Sequence, residues 1–204
     1  MQCIEVMEML PVNEWTHEEW EELFLFYNRM AARCYADAGA VPEVSKELPG
    51  ARVMHQSEGR FGYHDMWYVG TTGDLGTSSG HSLLTVDDVP TWVFQYWGWY
   101  DKNDERVIPV LKEALLTGYT TGTSRGGRGP DMFFSEDHIY TYENVINWGE
   151  GIILPEHFRA KPRLKDGRLN FSGFERIYRK KEPTSSIPAF EVFRHELAGF
   201  ALIN

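Results

Sequence analysis

From residue 51 onward the apolar residues of this chain recur at every second position, and that period of two limits the fold more than any other feature. Residues 51–56 and 61–69 read as strands around a Ser57-Glu58-Gly59-Arg60 turn. A Gly-, Thr- and Ser-rich stretch follows, read as a loop, and then "HSLLTV" and "TWVFQYWGWY" across Asp87-Asp88-Val89-Pro90, a second hairpin signal. Residues 138–147, 168–179 and 189–203 continue the pattern. Asp166-Gly167 marks a turn and "KKEPTSSIP" a longer connection.

Two segments follow the helical period instead. Thr16 with Glu19 forms a capping box ahead of Trp20, Leu23, Phe24, Tyr27, Met30, Ala31 and Cys34, an apolar stripe that predicts a helix over about 16–38. Val107, Val110, Leu111 and Leu115 share a face of a second helix at about 104–116, with Gly118 as its stop and "TTGTSRGGRGPDM" as a loop. Strands joined by hairpins, with one helix near the start and one mid-chain, predict an α+β fold. The expected form is a single curved antiparallel β-sheet or partial barrel of about seven or eight strands. The 204 residues read as a single domain, 1–204, with its β-rich body at about 51–203.

Composition narrows the function classes. The formal net charge of -10 argues against general nucleic-acid binding, which needs a field of Lys and Arg, and against an anionic membrane surface. No apolar run approaches the roughly 20 residues of a membrane helix, and the acidic start lacks the basic region of a signal peptide. Cys3 and Cys34 cannot make a disulfide framework and read as reduced thiols, so the expected location is cytoplasmic. The 14 % aromatic content exceeds the ordinary and predicts a core rich in rings.

The order and spacing of several segments carry a resemblance: "FYNRMAARCYAD", "YHDMWYVG", "VPTWVFQYWG", "PVLKEAL", "RGP" at 128–130, "IYTYEN", "FSGFERIY" and "FEVFRHELAGFALI". In these the chain resembles an uncharacterised bacterial domain-of-unknown-function family, some members of which are attached to helix-turn-helix regulators. The stretch 149–167 is longer than the turn the family pattern has there. The resemblance implies fold, transfers no chemistry, and adds nothing to a DNA-reading role, since no helix-turn-helix is present here.

Alternation splits the stretch 61–69 between two surfaces. With 57–60 as a tight turn, Asp65 lies opposite Arg52 and shares a face with Tyr63, Trp67 and Met54, while His64 shares the other with His55. Asp65 among aromatics reads either as half of a buried ion pair with Arg52 or as a polar contact in a ligand pocket lined by Tyr63 and Trp67. Trp92 and Tyr96 alternate along the next strand as core or as a stacking platform. His55, His64 and His81 have no zinc-signature spacing, so no metal is expected. "TSRGGRGP" offers an anion nest without the Lys and Ser/Thr of a P-loop. Arg128 is read as bonded to the fold or as a ligand contact. Glu143 and Glu175 are strand carboxylates suited to acid-base pairing. No serine or cysteine nucleophile has recognisable company, there being no G-x-S-x-G.

These readings converge on a small-molecule binding domain, without metal or organic cofactor, holding a polar, flat ligand such as a sugar, nucleoside or aromatic acid. Tyr63, Trp67, Trp92, Tyr96 and Arg128 are its expected contacts. The alternative is a cofactor-independent acid/base enzyme (hydrolase, lyase or isomerase) in the same pocket, using Asp65 or Glu143. A protein–protein interaction module is the third class. Neither catalysis nor homo-oligomerisation is decided by the sequence.

Overall fold

The computed structural model of the chain describes residues 17–36, 41–148, 170–184 and 189–201. Thr16, Cys3 and the stretch 149–167 with its Asp166-Gly167 turn lie outside them. The elements run α1 (His17–Ala31), a π-helical turn (Ala32–Ala36), β1 (Glu43–Val44), β2 (Arg52–Glu58), β3 (Phe61–Thr72), β4 (Leu75–Val86) and β5 (Val89–Asp101). Then come α2 (Val107–Thr121), β6 (Met132–Phe134), β7 (Tyr140–Trp148), β8 (Asn170–Arg179) and β9 (Phe190–Ala201). The nine strands among the described residues form one antiparallel sheet in the order β1-β2-β3-β4-β5-β9-β8-β7-β6. Two meanders therefore join side by side at the β5–β9 seam, and α2 carries the chain from the sheet's centre to its far edge at β6. No described helix is long and apolar enough to cross a membrane.

The α+β class holds, with two short edge strands, β1 and β6, beyond the expected number. Three local expectations change. The Gly-rich stretch 70–80 is no loop: β3 and β4 pair continuously from Phe61–Val86 to Thr72–Leu75, and only Gly73-Asp74 turn. The β4–β5 hairpin turns on Asp87-Asp88 alone, both with positive φ (50° and 64°), the backbone that a two-residue hairpin with right-handed twist requires and Asp tolerates. Gly118 does not end α2; the helix continues to Thr121, and Gly122 at φ 68° caps it by donating its N–H to the Gly118 carbonyl. Gly118 serves packing instead, since a Cβ there would stand 3.0 Å from the Gly129 backbone.

One face of the sheet, the inner face, receives both helices, α1 against β3 and α2 against β7. The α1 stripe is buried as its spacing predicts, and so is Phe26, whose ring stacks 5.4 Å from that of Phe61. Trp92 is the hub. Phe24 and Tyr27 meet it edge-on at 5.9 and 5.6 Å, and Phe94 and Phe171 stack at 6.1 and 6.2 Å. Each such ring pair adds about 0.5–1.5 kcal/mol beyond its buried area.

Glycines make room for these rings. A Cβ on Gly199 would overlap the Phe171 ring directly, whereas one on Gly70 would meet only the Thr77 hydroxyl at 3.0 Å, a group that can turn away. Gly199→Ala is expected to cost about 1–3 kcal/mol in urea unfolding through overpacking, and Gly70→Ala under about 0.5 kcal/mol, as at an ordinary surface position. Equal costs would show that the rings, and with them the sheet, yield more than this packing allows.

Candidate functional site

A transverse row of the inner face brings polar groups from several strands together. Register pairs Ser78 with Gly98, Gly98 with His195, His195 with Glu175, and Glu175 with Asn144, so five strands contribute one residue each. Gly98 is the gap in this row. A side chain there would collide with the Arg194 backbone, and its absence lets Ser78 on β4 reach His195 on β9 across the intervening strand. The Ser78 hydroxyl lies 2.7 Å from His195 Nε2, and His195 Nδ1 lies 3.1 Å from Glu175 Oε1.

Glu175 is fully buried and fully bonded. Its Oε1 accepts from Arg128 Nε at 3.0 Å, from Arg128 Nη2 at 2.7 Å and from His195, and its Oε2 accepts from the Tyr142 hydroxyl at 2.8 Å. Burial alone would raise this carboxyl, but Arg128 and His195 outweigh it and hold it down at about 2. The carboxylate can only accept, so His195 carries its proton on Nδ1. Burial holds the imidazole below its ordinary value against the pull of Glu175, leaving it neutral. Nε2 is then a bare acceptor, and the Ser78 O–H donates to it.

The "RGGR" motif is explained by how Arg128 is delivered. Arg128 N–H donates to the Arg125 carbonyl at 2.9 Å, closing a turn whose central Gly126 and Gly127 have φ 54° and 73°. Tyr27 and Tyr119 donate their hydroxyls to the Gly127 carbonyl, Gly129 N–H donates to Tyr142, and Asn144 Nδ2 donates to the Arg125 and Gly129 carbonyls. The loop is thus keyed to both helices and β7, and the N–H groups of Arg128 and Gly129 are engaged within the fold. The Arg128 guanidinium lies 5.0 Å from the Tyr96 ring centre, a cation–π contact.

Asp65 is buried one row group away. It lies opposite Met54 in register, and Arg52 opposite Trp67, two residues from the expected pairing because the turn is Gly59-Arg60. The even shift preserves the faces and removes the Arg52 ion pair. Ser82 Oγ donates to Asp65 Oδ1 at 2.9 Å; burial raises the carboxyl to about 6, with Ser82 and the charge of Arg128 countering in part.

The other expected residues are distributed between packing and the outer face. Tyr63, Trp67, Trp92 and Tyr96 lie in the core, the most accessible being Trp67 at 8 % exposed. Glu143 is on the outer face, bonded to Arg176 at 2.9 Å. It shares no pocket with Asp65 and does not face Glu175, so the strand-carboxylate pairing does not form. His55 and His64 pair across β2 and β3 with Nδ1 atoms 2.7 Å apart. Among the described residues no three His, Cys, Asp or Glu side chains gather to hold a metal. Cys34 is buried, its thiol pushed up to about 11 by burial, which removes it as a nucleophile. Sequence reasoning missed Ser78 and His195. The inner-face parity of Ser78, Gly98 and His195 was available, but nothing short of strand order joins them.

Two measurements check this electrostatic picture. Glu175→Gln strands the Arg128 charge in the core and is expected to cost about 3–5 kcal/mol in urea unfolding; a loss under about 1 kcal/mol would refute the buried pair. An acid whose folded-state value is raised stabilises the fold only while protonated, so Asp65's contribution is complete below pH 3.8 and is lost as pH rises through about 6. The stability of wild type relative to Asp65→Asn is therefore expected to fall by about 3 kcal/mol across that window, and a flat difference would contradict it. Glu175 works in the opposite sense, its contribution complete above pH 4.5 and lost towards about 2. Set beside known proteins, the chain matches no family model, no curated protein and no solved structure.

Proposed function

We propose that the chain is a small-molecule binding domain whose site lies on the inner face over Ser78 and the ring of Tyr100, both half-buried. The observation that carries the reading is the asymmetry of the polar row. His195 and Glu175 are buried, at 1 % and 0 % exposed, whereas Ser78, at the β4 end of the row, is half-buried. A hydroxyl fixed at 2.7 Å by a neutral imidazole is an oriented contact for a polar ligand atom. Tyr100, half-buried over Gly76 on the same face, supplies a flat apolar surface for a ring.

This reading keeps the expected ligand class, a polar molecule with a flat face such as a sugar, nucleoside or aromatic acid, and moves its contacts along the sheet. Asp65 and Arg128 become the electrostatic support of the site, and the four core aromatics its rigid floor.

Thermal unfolding against a library of sugars, nucleosides and aromatic acids tests it. A ligand at 100 times its dissociation constant adds about 2.7 kcal/mol, which raises the midpoint by roughly 5–10 °C for a chain of this size. The shift is expected to shrink in Ser78→Ala and Tyr100→Ala and to persist in His55→Ala on the outer face. A shift untouched by the first two variants, or none with any compound, would overturn the reading, the latter in favour of a protein-binding surface.

A further inference from the structure

We propose that Ser78 is a nucleophile, activated by His195 as general base with Glu175 as the positioning carboxylate, and that the substrate is a carboxylic ester of a small acyl group with an aryl leaving group. This rests on the binding site just proposed and assigns it a reaction.

Three independent strands build the array. Ser78 stands on β4, His195 on β9 and Glu175 on β8, and the 2.7 and 3.1 Å separations are those of a nucleophile, a base and the group that orients the base. The proton inventory follows from the bonds. Glu175, ionised and held by Arg128 and Tyr142, fixes the His195 proton on Nδ1, and the Nε2 lone pair faces the serine O–H. His195 is 1 % exposed, so its Nε2 is shielded from bulk water and has the Ser78 hydroxyl as its neighbour at 2.7 Å. The hydroxyl is therefore the group from which the imidazole removes a proton. Arg128 matters here too: by balancing the Glu175 charge it keeps the imidazole from being stored as imidazolium, which could not act as a base.

In the first step Ser78 Oγ attacks the ester carbonyl carbon as its proton passes to His195 Nε2. The tetrahedral adduct collapses with cleavage of the carbonyl–aryloxy bond, and His195 returns the proton to the departing phenol, leaving an acyl-serine. Water then attacks that acyl carbon, His195 taking its proton and passing it to Ser78 Oγ as the carboxylic acid leaves. An aryloxy group needs little help to depart, and its ring matches the face of Tyr100.

The test uses the full chain with a dialkyl fluorophosphate and, separately, p-nitrophenyl acetate. Fluoride leaves as the Ser78 Oγ–phosphorus bond forms. The expected result is a mass increase of one dialkylphosphoryl group on the peptide carrying Ser78, with p-nitrophenyl acetate hydrolysis falling about 100-fold or more in Ser78→Ala. Both rates should rise with pH to a plateau, with a midpoint shifted to lower pH than that of an ordinary imidazole, since burial lowers His195. Ser78→Ala alters a half-buried position, and an unchanged melting point confirms that it is folded. Ser78→Cys adds a second reading, its thiol becoming selectively alkylated by iodoacetamide. A folded wild type that stays unlabelled, or is labelled equally in Ser78→Ala, would reduce the array to a structural hydrogen-bond chain. If ligand-induced shifts nevertheless depend on Ser78, the binding site stands and the catalytic assignment alone falls.

Discussion

The fold turns on the ion pair between Arg128 and Glu175, closed off from water in the middle of a face otherwise paved with rings. Two charges in such a place are stable only when geometry satisfies them fully. Here the carboxylate takes four hydrogen bonds, and the guanidinium adds the face of Tyr96. Meeting those demands draws in much of the molecule. The loop that delivers Arg128 is held by Tyr27 of α1, Tyr119 of α2 and Tyr142 and Asn144 of β7, so one salt bridge ties both helices to the second meander. The tyrosine hydroxyls satisfy the Gly127 carbonyl and the Gly129 N–H, and the Asn144 amide satisfies the Arg125 and Gly129 carbonyls, groups that would otherwise be stranded beneath the helices.

The sheet supplies the same precision from below. Aromatic side chains lie over glycines on neighbouring strands, Tyr100 over Gly76 and Phe171 over Gly199, which lets large rings lie flat without prising the strands apart. Gly98 differs in that no ring fills its place. It is the opening through which a hydroxyl on β4 and an imidazole on β9 meet, and the close packing on either side fixes their separation.

The legible part of this structure was whatever depends on period and parity. The division of Tyr63, Asp65 and Trp67 from His64 could be read from alternation, and it survived a pairing displaced by two residues because an even displacement keeps every side chain on its face. The α1 stripe was likewise visible in its spacing. The Gly-rich run 70–80 reads as a loop because strand propensity penalises glycine, whereas in the structure the rings of Tyr100 and Tyr96 pack over Gly76 and Gly80. Ser78 was hidden inside that run. His195 was hidden for another reason: β9 lies beside β5, from which it is separated by the whole second meander, and no local signal specifies that neighbour. Arg128 stood between two readings, and its burial against Glu175 shows that it is bonded within the fold.

The strand order has a consequence for how the chain must fold. β9, the last described strand in sequence, sits at the sheet's centre, between β5 and β8. A growing chain can assemble the first meander while β5 is still an open edge, bearing Trp97 and Trp99 on its outer side and no partner for its backbone. The second meander lacks its seam strand in the same interval, and Glu175 and Arg128 have no His195 beside them. Insertion of β9 closes both halves at once, so the longest-range pairing in the sheet is also the one that completes its core. Such an order leaves the longest loop closure until β9 pairs, and until then the β5 edge is open to pairing with other chains.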